Sequence, residues 1–116
     1  MKRIKKFESF TTTHRMPTKV TEDEWNRKWK IHGLEKLTEI EKEFFRQKFR
    51  TYIEYIGDSL VQLEIPNIRY SDMVIIKLKD DWYLIEETCD DGDGEFYICD
   101  EWDEVIGYLS SINLKI

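Results

Sequence analysis

The stretch Asp90-Asp91-Gly92-Asp93-Gly94-Glu95 sets four carboxylates and two glycines in six positions. That is the composition a hard cation wants, since calcium takes about six to eight oxygen ligands on a flexible loop. An EF-hand does not fit it. With Gly94 at the sixth loop position, Cys89 stands where the first Asp ligand belongs and Asp100 where a bidentate Glu is needed. The segment before it also reads as a strand. A calcium turn of another kind stays open, and a solvated hairpin of turn-tolerant residues is the plainer reading. Asp80, Asp81, Glu86 and Glu87 lie on or beside the neighbouring hairpin, and Asp100, Glu101, Asp103 and Glu104 open a final helix. Paired carboxylates perform acid–base chemistry when one is desolvated. Asp100 and Asp103 are already explained as a helix cap and a partner of the helix dipole.

Other constellations are missing. His14 and His32 have no metal-ligand spacing to a cysteine, and no serine sits in a nucleophile-elbow context. There is no phosphate-cradling glycine loop. The expectation is a protein that is not an enzyme, with no cofactor and no metal site. If a hairpin closes around Asp91–Gly94, Cys89 falls opposite Glu95 or Phe96 and Cys99 opposite Ile85 or Glu86, which predicts two reduced thiols. Trp25 and Trp29, four apart beside Arg27, Lys28 and Lys30, can stack on bases while the cations meet phosphate. Core packing of both indoles is the plainer reading and a protein interface the next. A net charge of −6 works against nucleic acid.

Charge is unevenly placed. From Asp80 to Glu104 there are twelve acidic residues and no lysine or arginine, whereas the first fifty residues carry fourteen basic and eight acidic groups. Such asymmetry speaks to partners and steering.

These groups must be held by a chain of 116 residues, enough for one domain with its own core. Residues 1–20 read as a basic arm and 21–116 as a single α+β domain. No apolar run approaches the roughly 20 residues needed to cross a bilayer, and the basic start lacks the apolar stretch of a signal peptide. The expected compartment is the cytoplasm. Thr21-Glu22-Asp23-Glu24 is a capping box opening a helix that Gly33 stops. Thr38-Glu39-Ile40-Glu41 opens a second, whose apolar positions keep helical spacing through Phe45, Phe49, Ile53 and Ile56 to a stop at Gly57. The period then changes to two. Strands are expected at Val61–Ile65, Asp72–Lys79, Trp82–Thr88 and Glu95–Cys99, with a tight turn at Asp80-Asp81 and a last helix capped by Asp100. The predicted fold is an antiparallel β-meander of about four strands packed against two N-terminal helices and one C-terminal helix.

The opening Met-Lys-Arg-Ile-Lys-Lys-Phe-Glu-Ser-Phe resembles the start of many small proteins of large tailed bacteriophages. Val20–Trp25, Leu78–Leu84 and Phe96–Asp100 are similar to segments of uncharacterised small viral proteins. The resemblance implies a phage-encoded accessory protein made in the host cytoplasm, and it implies no activity or catalytic residue. The combined expectation is a protein-interaction domain. Its acidic hairpin and helix, through Asp80, Asp81, Asp90, Asp91, Asp93, Glu95, Glu101 and Glu104, would meet a basic or nucleic-acid-binding host protein. Trp25 and Trp29 are candidate interface aromatics. A self-associating subunit, basic front against acidic back, and a calcium-binding module at Asp90–Glu95 are the alternatives.

Overall fold

Both capping boxes form. The computed structural model describes residues 15–66, 70–89, 92 and 94–112. In it α1 (Glu22–His32) starts at Thr21, whose hydroxyl accepts the Glu24 N–H while the Glu24 carboxylate accepts the Thr21 N–H. Thr38 and Glu41 repeat the exchange at the start of α2 (Glu39–Lys48). Gly33 ends α1 at a φ of 74°, a left-handed value open to glycine at little cost.

Among the described residues, six strands form one open sheet: β1 (Thr18–Val20), β2 (Ile53–Ile56), β3 (Leu60–Glu64), β4 (Asp72–Lys77), β5 (Tyr83–Thr88) and β6 (Gly94–Cys99). The order is β1-β6-β5-β4-β3-β2, antiparallel throughout. β2 to β6 are the expected meander with a strand added in front, and β1 closes the far edge beside β6. The final helix, α3 (Trp102–Ser111), follows directly.

The helices take both faces. On one, Val61, Leu63, Met73, Ile75, Tyr83, Ile85 and Cys99 meet Phe45 and Phe49 from α2 and its end, and Val105, Tyr108 and Leu109 from α3. On the other, Ile76, Leu78 and Leu84 pack with Trp25 of α1, flanked by Val20, Phe96 and Ile98. Alternation within β4 sorts the two cores: Met73 and Ile75 go one way, Val74 and Ile76 the other. Trp25 also donates its indole N–H to the Ile85 carbonyl at 3.1 Å.

Several expectations are corrected. The sheet has six strands where about four were predicted. β2 lies where the second helix was expected to continue: α2 stops at Phe49, and a 3-10 turn at Arg50–Tyr52 leads into the strand. The cause of the misreading is physical. The β2–β3 register shifts between Ile53 and Tyr55, so the strand carries an extra residue, and Ile53 and Ile56 oppose the buried Leu63 and Val61. A bulge thereby reproduces the three-residue spacing of a helix face. Gly57 serves the β2–β3 turn, its N–H donating to the Leu60 carbonyl. At α3 the cap position is Glu101, without a side-chain cap, and the Asp100 N–H goes to the Glu104 carboxylate. The β5–β6 ladder runs from Tyr83↔Cys99 to Thr88↔Gly94, so Cys99 faces Tyr83 and Cys89 lies beyond the last pair. Neither cysteine is in a disulfide. Asp80 and Asp81 do make the tight turn, both at positive φ (64° and 61°), a region aspartate tolerates better than most residues.

Trp25 is 5% exposed and Trp29 39%, so the two indoles, 6.2 Å apart edge to face, divide their roles. In urea denaturation, Trp25→Ala is expected to cost about 3–5 kcal/mol and Trp29→Ala about 1 kcal/mol or less. Equal losses would contradict the packing described.

Candidate functional site

Carboxylates collect where β6 runs into α3, and they already hold a guanidinium. Arg15 reaches Glu101 with Nη1 and Glu104 Oε2 with Nη2 at 3.0 Å, and its Nη2 lies 3.9 Å from Asp100 Oδ2. The Arg15 backbone N–H donates to Asp103 Oδ2 at 3.0 Å. Among the described residues, Arg15 thus faces a cup of four acids at the positive end of a helix. Glu104 is the floor. Its side chain is 4% exposed and divides its oxygens between Arg15 and the Asp100 N–H. The other three acids stand at the rim.

Four residues along the same segment, Lys19 Nζ pairs with Glu95 Oε2 at 2.9 Å, a hydrogen bond that raises the lysine pKa. Glu95 also accepts from the Tyr97 hydroxyl at 2.8 Å. β1 is therefore held by an ion pair three residues before it and another at its middle residue, and by antiparallel pairing of Thr18, Lys19 and Val20 with Ile98, Tyr97 and Phe96. Behind Glu95, Glu87 is buried on the same sheet face, and burial raises its pKa. The Tyr108 hydroxyl of α3 sits near enough for the two groups to shift each other, yet it makes no hydrogen bond of normal geometry among the described residues.

A third polar group lies deeper. Lys77, 4% exposed in the middle of the sheet, places Nζ 3.1 and 3.3 Å from the two oxygens of Glu41. The Tyr83 hydroxyl donates to Glu41 as well. Burial alone would raise the Glu41 pKa, but the bonds from Tyr83, the Thr38 N–H and Lys77 outweigh it and hold the carboxyl below its ordinary value. Tyr83 is pushed up by burial and by that carboxylate. An acid, an amine and a phenol so placed can in principle relay protons. Here Glu41 is bonded to both of the others and all three are buried, and Trp102 packs on the Tyr83 ring with Phe45 and Phe44 behind it.

The predicted acidic face is divided. Tyr83↔Cys99 sets the Asp80-Asp81 turn and the Asp100–Glu104 cup at one end of the β5–β6 ladder, while Thr88↔Gly94 puts Glu95 at the other. Asp80 and Asp81 are exposed, beside His32 and Lys77 respectively. Asp90, Asp91 and Asp93 lie outside the described residues. Among the described residues no group of three or more His, Cys, Asp or Glu could hold a metal ion, and no helix is long and apolar enough to cross a membrane. Trp29 is half-open, whereas Trp25 belongs to the core. Arg15, Lys19 and Lys77 were not singled out from the sequence. Lys77 carried a signal, as the one charge in the apolar run Met73–Leu78. Arg15 and Lys19 stood in a segment without periodicity. No family model matches the chain, nor does any curated protein or solved structure.

Because the folded Glu41 pKa is depressed, its stabilisation is present above the ordinary carboxylate value of 4.5 and is lost as pH falls through the lower folded value. Glu41→Gln should cost about 3–5 kcal/mol at pH 7 by stranding Lys77, with a smaller loss at pH 3. Glu87 has the opposite sign. Its raised pKa removes stability as pH climbs above 4.5. Thermal melts of Glu87→Gln should match the wild type at pH 4 and exceed it at pH 8. A variant that falls further behind as pH rises would contradict this assignment.

Proposed function

We propose that this is a small non-enzymatic interaction protein that binds a basic partner through the carboxylates at the β6–α3 junction and the adjoining Asp80-Asp81 turn. The observation that carries the reading is the Arg15 guanidinium seated among Asp100, Glu101 and Glu104. A surface that sets a buried carboxylate and three rim carboxylates around one arginine, one of them accepting its backbone N–H, has the chemistry to hold another. With Arg15 in place, Asp100 and Glu101 still keep half or more of their side chains exposed, so their charge reaches beyond the occupied site. The burial of Glu41, Lys77 and Tyr83 supports binding over catalysis, since the best acid–base set is bonded within itself and shut off from solvent.

A bacteriophage origin, which the resemblance of the first ten residues implies, would put this surface in a bacterial cytoplasm. There, a protein that normally binds nucleic acid is a natural basic partner. Spread carboxylates can compete for a surface built for phosphates, and such binding weakens with salt. Head-to-tail self-association is the second reading, favoured by the Arg15 and Lys19 pairs because the same contacts can form between two copies. Light scattering at low salt separates the two, since the second requires a mass above that of the monomer.

The test is capture from bacterial lysate with the tagged full chain. Its control carries Asp100→Lys and Glu101→Lys, both at exposed side chains. A defined partner should be retained at low salt and lost at high salt. The control should reduce its recovery at least tenfold. Recovery that is indifferent to both salt and charge reversal would overturn the proposal.

A further inference from the structure

Resting on that reading, we infer that residues Arg15–Val20 are an intramolecular stand-in for the partner: a basic extended strand that the true ligand displaces from β6. Three observations converge. The segment binds as a ligand strand does, with backbone pairing to an edge and side chains set in charged sites at its two ends. Arg15 in the cup and Lys19 on Glu95 define its pattern, an arginine followed four residues later by a lysine within the paired strand.

Its attachment is also shallow. β1 has three residues, of which Thr18 and Lys19 are exposed and only Val20 is half-buried. Elements with few buried contacts open at low free energy. Thr21 alone separates β1 from α1, so release leaves the rest of the molecule undisturbed only if α1 has its own anchor. α1 is held independently, by Trp25 against Ile76, Leu78 and Leu84 on the other face.

Opening the segment creates a site. The outer backbone groups of β6 become a free edge, and Asp100, Glu101 and Glu104 lose the Arg15 guanidinium. Such an edge beside such a cup fits a basic peptide adding antiparallel to β6, with its arginine at the Asp100–Glu104 end. A tethered strand competes at an effective concentration in the millimolar range. Weak or mismatched ligands are therefore excluded, and the resting protein hides the edge that would invite aggregation.

Fluorescence anisotropy with a labelled peptide of the sequence of residues 15–21 tests this on the full chain. Arg15→Glu/Lys19→Glu expels the stand-in, and both side chains are more than half exposed, so folding is retained. This variant should bind the peptide at least tenfold more tightly than the wild type. Adding Asp100→Lys and Glu101→Lys to it should abolish binding. Hydrogen exchange at residues 18–20 of the wild type should accelerate with saturating peptide while β3 and β4 stay protected. Equal, cup-dependent affinities for wild type and variant would overturn the stand-in and leave the acidic surface standing. Binding by neither chain, or binding indifferent to the cup, would overturn both.

Discussion

A lysine in the interior of a sheet must find a carboxylate, and that requirement determines where the second helix lies. Lys77 occupies a core-facing position of β4, where an unpaired ammonium would cost several kcal/mol. Glu41 reaches it from the first turn of α2, and the same side chain closes the capping box with Thr38. One carboxylate thus starts the helix and pins that start to the sheet. Tyr83 completes the joint from β5, and Trp102 packs on its ring, so the first turn of α3 takes its place from the same centre. With both helices placed, their apolar residues cover one sheet face, and Trp25 closes the other from α1.

The charge asymmetry of the chain finds its counterpart within the molecule. Basic residues from the front are seated on acids from the back, Arg15 on Asp100 to Glu104 and Lys19 on Glu95. Pairs whose cation stays largely in water contribute little to stability. Their value is positional, setting the register of a strand too short to set its own. The buried pair differs in kind, since Lys77 and Glu41 are excluded from water and breaking either strands the other.

Much of the fold was legible because local rules and tertiary packing agree. The two Thr-x-x-Glu boxes, Gly33, the alternation of Val61, Leu63 and Ile65, and the Asp80-Asp81 turn all act locally. Where the reading failed, the deciding partner was distant. β2 was hidden because its bulge gives Ile53 and Ile56 the spacing of a helix face. β1 exists only because β6 offers an edge about eighty residues away. Of the carboxylates around Arg15 and Lys19, Glu95, Glu101 and Glu104 were found by composition, whereas Asp100 and Asp103 were read as a helix cap and a dipole partner. That they form two clusters at opposite ends of one ladder required the register, which the Gly94 position decides: a Cβ there would lie 2.8 Å from the Glu87 carbonyl, so glycine permits this close approach of the two strands.

The adjacency of β1 and β6 bears on how the molecule is made. Lys19 and Glu95 are 76 residues apart and Arg15 and Asp103 are 88. Contacts of such separation form late, because most of the chain must be ordered before they are rewarded. During synthesis the basic segment leaves the ribosome long before its strand partner exists, while the β2–β5 meander can assemble from its own neighbours. The newborn chain therefore passes through a stage in which its front is cationic and unpaired, and the arrival of β6 and α3 neutralises it. Completion of the acidic back is what turns an exposed basic tail into the sixth strand of the sheet.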